Sequence, residues 1–267
     1  EGFELVLKAW KSKEVFSFNG RFTKLRYVNP WPKPLQDPHP PIWMPGSGSV
    51  ETMDLAVEMD VPFFLLSYFG ADFAENMFKK YWSRVEEAGR DYNPFRTGMV
   101  QLVMVGDTDA EAKRLYEKHV QYFYQRCTHI YPGFTEAPGY KTVRSLQEVL
   151  PAKGSKVKSR PDSFAVAQKY SWDELVENGI VIGGSPDTVR ERLEAVSKKS
   201  NIGNWILMLH IGSMPRELAM YNIGLFAEKV KPGLSNVFAE AEHRWWPKPI
   251  DGFQAASVSP VHREEKK

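Results

Sequence analysis

The sequence predicts an α/β fold built on a parallel sheet, and three features of its 267 residues carry that prediction. From Pro41 onward, short apolar runs alternate with segments whose apolar residues recur at helical spacing. The runs, residues 42–45, 62–67, 100–105 and 205–211, are apolar at nearly every position rather than at every second one, as expected of strands covered on both faces. The helix starts between them carry caps: Thr108 stands three residues before Glu111, and Ser185 directly precedes Pro186.

Taken in order, the chain opens on EGFELVLKAWK, whose Phe3, Leu5, Val6, Leu7, Ala9 and Trp10 share an apolar stripe. No capping residue stands ahead of Glu1, so this helix reads as one cut at its start and the chain as the inner part of a longer one. VFSFNGRFTKLRYV reads as a small hairpin about Asn19-Gly20, because that dipeptide tolerates the positive φ of a type I′ turn. NPWPKPLQDPHPP can be neither helix nor central strand, since its prolines lack donors and hold the chain extended. Helices are expected to begin near Ser49, Ala71, Thr108, Ser185 and Met214. Residues 131–160 are rich in turn formers and poor in apolar side chains, and are expected to form a mobile insert. Residues 236–267 read as a C-terminal extension, aromatic at Trp245 and Trp246 and partly disordered toward its charged end.

Composition excludes several classes. With 42% apolar and 25% charged residues the chain can bury a core. Its longest apolar stretch, PFFLLSYFGADF, meets Asp72 well short of the roughly 18 residues a spanning helix needs. The 35 basic residues nearly balance 33 acidic ones, and a net charge of +2 is too small for a surface that tracks nucleic-acid phosphates. Cys127 is the only cysteine, which suits a reducing compartment, and a cytoplasmic protein is expected. It lies in HVQYFYQRC and reads as a buried packing thiol rather than a nucleophile. Neither HExxH nor paired CxxC units occur, so no metal site is expected, and GxSxG is absent.

Several phrases, in their order and spacing, resemble the bacterial luciferase-like family of flavin-dependent monooxygenases. They are EGFELVLKAW with FSFNGRFTKLR, then PKPLQDPHPPIWMPGSGSVETMDLA, GDTDAEA, GGSPDTVRERL and HIGSMPRELAMYNIGLFAEKVKPGL, which together cover about residues 1–235. The resemblance implies a TIM (β/α)8 barrel, of which residues 1–235 would supply the second half, strands five to eight. Four strands cannot close such a barrel, which takes about 250 residues in its usual form, so a further segment or a second copy, as in a homodimer, is expected to cover the sheet edges. The implied activity is oxidation of a small organic substrate with O2 and reduced FMN supplied by a separate flavin reductase. Two alternatives stay open: an F420-dependent hydride transfer, as in other members of the family, and flavin binding without turnover.

The segment from Met44 to Thr52 leaves an apolar strand, turns on small residues and enters a helix, where unpaired N–H groups and the positive dipole end favour an anion. The resemblance implies that this anion is the FMN phosphate, with Ser49 and Thr52 supplying hydroxyl contacts and Gly48 a backbone one. A plainly capped helix with Ser49 as its N-cap is the other reading of the same residues. Gly183-Gly184-Ser185-Pro186 is a second glycine-rich helix entry, read as structural capping because Pro186 withdraws a donor. His210, at the C-terminal end of the last strand, is the catalytic candidate, placed where barrel enzymes carry their chemistry. Ser67 and Tyr68 could line the same pocket. Lys153, Lys156, Lys158 and Arg160 of the insert could close over an anionic flavin or simply stay solvated. His39 is read as a surface or packing residue and His119 as partly exposed.

Overall fold

A computed structural model of the protein describes residues 1–66, 70–128, 139, 142–149 and 167–248. Contacts divide the chain into two units, one holding Glu1–Pro41 and the described end of the chain from Trp246, the other Ile42–Trp245.

The first unit contains α1 (Gly2–Lys11) and an antiparallel hairpin of β1 (Phe16–Asn19) and β2 (Lys24–Val28). The hairpin is not the two-residue type expected: Asn19 pairs with Lys24, leaving a four-residue connection over 20–23. The Glu1 carboxylate accounts for the longer loop, since it accepts from the backbone N–H groups of Arg21 at 2.8 Å, Phe22 at 3.1 Å and Thr23 at 2.7 Å. These donors would otherwise go unmet in an open turn.

The second unit carries the α/β pattern. In chain order it comprises β3 (Met44–Gly46), α2 (Val50–Glu58), β4 (Phe63–Leu66), α3 (Ala71–Glu87), β5 (Thr97–Val105), α4 (Asp109–Tyr122), α5 (Val143–Val149) and α6 (Trp172–Glu177). It continues with β6 (Val181–Gly184), α7 (Pro186–Ser200), β7 (Asn204–Met208), α8 (Arg216–Leu225) and α9 (Lys231–Leu234). Every strand pairing in this unit is parallel, as the uniformly apolar runs require. All nine residues of the central strand β5 are buried.

β6 is an element the sequence pattern did not reveal, because VIGG offers only two side chains and reads as a turn before its helix. It forms because β5 is long enough to pair twice along one edge. Val100 pairs with both Leu66 and Ile206, and Leu102 with both Val181 and Met208, so β7 lies on one edge while β4 and then β6 share the other. Gln101 bridges the changeover, its amide donating to the carbonyls of Gly179 at 3.3 Å and Ile180 at 3.1 Å. Glycine is required at 183, where a Cβ would lie 2.7 Å from the Trp172 ring.

The path β3-β4-β5-β7 is open: the outer edges of β3 and β7 have no strand partner among the described residues. Apolar side chains pack against the sheet beneath α2 and α3 (Met53, Phe63, Phe78, Tyr81), beneath α4 and α6 (Met104, Tyr116, Leu175), and beneath α7 and α8 (Val103, Ile182, Leu193, Phe226). The expected caps form. Thr108 Oγ1 accepts from Glu111 N at 3.1 Å, Ser185 Oγ from Thr188 N at 3.2 Å, and Ser171 with Glu174 makes a full capping box at α6.

Cys127 departs from expectation and is exposed. It ends a π-helical turn, Phe123–Cys127, that continues α4 and whose buried residue is Tyr124. Beyond residue 235 the chain continues along the same unit. His243 Nε2 donates to Asn204 Oδ1 at 2.8 Å, its ring stacks on Phe95 at 4.2 Å, and Trp245 Nε1 donates to the Asp60 carbonyl at 2.8 Å. These contacts lie at the N-terminal ends of the strands, away from the face considered next. No described helix is long and apolar enough to cross a membrane.

Candidate functional site

The loop from β3 into α2 is built around glycines. Gly46 packs under Phe63, whose ring would stand 2.7 Å from any Cβ there. Gly48 has φ +114°, a conformation side chains rarely adopt, and a Cβ on it would meet Met77 Sδ at 3.0 Å. This brings Gly48, Ser49 and Thr52 together around the first turn of α2, at the C-terminal end of the half-buried parallel edge strand β3. Ser49 stands at the N-cap but does not cap: its Oγ donates to Glu51 Oε2 at 2.9 Å. The Val50 N–H instead donates to Ser145 Oγ of α5 at 3.2 Å. Thr52 is half-buried and turns its methyl toward Gly46.

Glu51 is the electrostatic centre of this helix entry. Its carboxylate accepts from Ser49, from Ser145 Oγ at 2.7 Å and from Thr142 Oγ1. The Thr142 hydroxyl first, then Ser145, its own backbone N–H and Ser49 draw the Glu51 carboxyl down to about 2 from 4.5. Alongside, Asp54 accepts from Arg84 Nε at 2.9 Å and from an Arg144 guanidinium nitrogen at 2.6 Å. The described part of the insert, Thr142 to Val149, is thus docked on α2 by its hydroxyls and Arg144. Because folding depresses this carboxyl, its contribution is complete above about pH 4.5 and is lost as the pH falls toward 2. The protection of α5 amides relative to their intrinsic exchange rates should accordingly hold from neutral pH to about 4.5 and fall below it. Protection that stays constant from neutral pH to about 2 would show that Glu51 does not hold α5.

At the second glycine-rich entry the anion position is filled from within: Asp109 Oδ1 accepts the Ser185 N–H at 2.6 Å, and a Cβ on Gly184 would lie 2.5 Å from that oxygen. With Ser185 Oγ capping Thr188, this entry has the structural role expected of it.

His210 is exposed just past the end of β7. Its Nε2 lies 3.0 Å from the Met214 carbonyl, which can only accept, so in the neutral ring Nε2 carries the proton and the lone pair is on Nδ1. His119 is buried rather than partly exposed, 6% accessible, with Nδ1 2.9 Å from Ser213 Oγ. Burial, with the charge of Lys118 adding to it, holds its imidazole below the ordinary range. The α2 entry and His210 occupy the same end of the sheet but its two outermost strands, β3 and β7, so they are not in contact. His39 lies in the first unit, its Nδ1 donating to Pro40 O at 2.7 Å. Ser67, Tyr68, Lys153, Lys156, Lys158 and Arg160 lie outside the described residues. Sequence reasoning missed Glu51, Thr142 and Ser145. Thr142 caps α5 by accepting from Ser145 N at 3.0 Å, and that T-x-x-S pattern was the one available signal.

The family model for luciferase-like monooxygenases matches residues 1–200. No curated protein matches the sequence. Among solved structures, a monooxygenase from Streptomyces bottropensis is 18% identical with a TM-score of 0.58, covering 86% of this chain and 59% of its own. The oxygenating constituent of 3,6-diketocamphane monooxygenase from Pseudomonas putida, solved with FMN, is 22% identical with a TM-score of 0.55, covering 86% of this chain and 61% of its own. The coenzyme F420-dependent tetrahydromethanopterin reductase of Methanopyrus kandleri is 16% identical with a TM-score of 0.56, covering 86% and 61%. The chain spans about six tenths of the length of these structures.

Proposed function

The chain belongs to the luciferase-like monooxygenase family, and on that premise we propose that it forms the phosphate-anchoring part of a flavin-dependent monooxygenase acting on a small organic substrate. The observation that carries this reading is the β3–α2 entry, where Gly48 at φ +114° leads a hydroxyl and the first N–H groups of a helix out of the C-terminal end of a parallel strand. Ser49 Oγ–H and the Val50 N–H would hold the FMN phosphate, with Gly48 and Thr52 beside them. Both donors now rest on Glu51 and Ser145, which a phosphate with three acceptor oxygens would have to displace.

Bound reduced flavin supplies the oxygen activation, delivered as electrons by a separate reductase, and O2 is the co-substrate. The part of this chain is to fix the phosphate at the α2 entry and to present the Nδ1 lone pair of His210 as an acceptor at the end of β7. The F420-dependent reading uses the same anchor, and the likeness to the Methanopyrus kandleri reductase is as close as that to the diketocamphane enzyme. Cytoplasmic residence fits the single thiol.

Replacing Ser49 and Thr52 together with alanine tests the anchor. FMN should weaken relative to riboflavin, which lacks the phosphate, by about 1.5 to 3 kcal/mol for each charge-assisted hydrogen bond lost. Equal losses for the two flavins would place the phosphate elsewhere. Spectroscopic titration of the wild type with reduced FMN under air and with F420 separates the monooxygenase reading from hydride transfer.

A further inference from the structure

The chain leaving β7 makes a tight turn from His210 to Met214 that is seated directly on α4. Met214 N closes the turn on Ile211 O at 3.1 Å, and the side chains of Ile211 and Met214 are both buried. Gly212 has φ +57° and lies so close to the helix that a Cβ would stand 2.2 Å from the His119 carbonyl oxygen and 3.3 Å from Phe123 N. One residue further, Ser213 Oγ meets His119 Nδ1 at 2.9 Å. Two independent contacts, one backbone and one side-chain, therefore fix this turn to one spot on α4, just where the helix widens into its π-helical turn. π-turns inside helices occur frequently at functional sites.

The consequence falls on His210. The imidazole reaches across the turn to donate Nε2–H to the Met214 carbonyl, so the direction of that carbonyl selects which nitrogen is protonated. We propose that His119 is a positioning residue: through Ser213 it holds the 210–214 turn, and the held turn locks His210 in its Nε2–H tautomer with Nδ1 open as the acceptor at the C-terminal end of β7. The inference deepens the role given to His210 above and rests on that role only for its purpose; the tautomer itself is a property of the chain alone. A buried imidazole suits the task, because it offers one nitrogen at fixed height above the helix and a ring that packs, where a lysine or glutamate would carry an uncompensated charge inward.

Long-range proton–nitrogen correlation spectra of the full chain, with ring-labelled histidine, read the tautomer of His210 directly. In the wild type the Nε2–H form should dominate. Ser213→Ala, at an exposed position where folding is not at stake, and His119→Leu should each reduce the ratio of Nε2–H to Nδ1–H forms about two- to tenfold, the range one neutral hydrogen bond covers. His119→Asn, which puts an amide near the place of Nδ1, should recover most of the wild-type ratio. A His210 that is mainly Nδ1–H in the wild type, or a ratio that Ser213→Ala leaves unchanged, overturns the proposal. FMN affinity measured on the same proteins keeps the outcomes apart, since loss of the phosphate anchor would leave the tautomer result standing and the reverse is equally true.

Discussion

Replacing Arg96 with methionine is expected to lower the unfolding free energy by about 3 kcal/mol. The Arg96 side chain is 3% exposed. Its guanidinium donates to Asp60 at 2.6 Å, to Asp91 Oδ1 at 2.7 and 2.9 Å and to the Asp91 carbonyl at 3.0 Å, and its face lies 4.9 Å from the Trp245 ring. Methionine preserves the volume of the stem, so little cavity is made and the loss is mainly that of the pairing. Asp60 and Asp91 are 45% and 49% exposed, so water can take over part of their solvation, which keeps the figure at the low end for a broken buried pair. Lysine at 96 should recover less than half, because it cannot serve two carboxylates and a ring as a planar fork does. Urea unfolding should show a lower midpoint at unchanged slope. A loss under about 1 kcal/mol would reduce the cluster to ordinary surface pairs. Because it lies at the N-terminal ends of the strands, where barrel folds place stability rather than chemistry, FMN affinity should not change.

The α/β class was legible because burial on both faces leaves its mark on each strand separately: residues 62–66 are apolar throughout and 100–105 all but Gln101. Capping was legible for the same reason, since Thr108 and Ser185 act within one turn. What stayed hidden depends on residues distant in the chain. β6 exists only because β5 extends past β4 and offers a free edge to Val181–Gly184. The hairpin loop is set by Glu1, some twenty residues earlier. Cys127 was misjudged because the apolar company it keeps in HVQYFYQRC says nothing of which way it faces at the end of a π-helical turn.

The candidate site divides along the same line. Gly48, Ser49 and Thr52 lie within five positions of one another, and their gathering at one helix entry could be read from the nine residues Met44 to Thr52. The partners that decide what those groups do now, Thr142 and Ser145, come from about 95 residues away; their T-x-x-S spacing marks a helix start but not its docking on Glu51. Ser49 illustrates the limit: its type made it an N-cap, but its hydroxyl turns to donate to the Glu51 carboxylate two residues on and accepts no helix N–H. His210 was nominated from its place at a strand end, whereas His119 was read as partly exposed because its partner, Ser213, lies 94 residues on.

Asn222 is the second position at which one substitution should have a large effect, and there fold and site are coupled. It is fully buried in α8, and its side chain is saturated: Oδ1 accepts from Val105 N at 2.7 Å, while Nδ2 donates to Val103 O at 2.9 Å and to Leu209 O at 2.9 Å. It fastens the C-terminal end of β5 to the residue preceding His210. Asn222→Leu, of similar size, leaves one N–H and two carbonyls buried without these partners. At about 1 to 3 kcal/mol for each orphaned group, and with some relaxation, the expected loss is about 4 kcal/mol. Asn222→Asp should behave differently with pH, because an ionised carboxylate accepts from Val105 but faces two carbonyl oxygens. Its pKa in the folded chain should therefore be raised, so the variant should be most stable at low pH and lose stability as the pH rises above the ordinary aspartate value of about 4. Unfolding midpoints of the two variants across pH test both statements. A pH-independent Asp variant, or a Leu variant within about 1 kcal/mol of wild type, would mean that water reaches these carbonyls and that Asn222 holds nothing. If the bracket is real, freeing Leu209 should also shift the tautomer of His210 while leaving the FMN anchor, three strands away, at wild-type affinity.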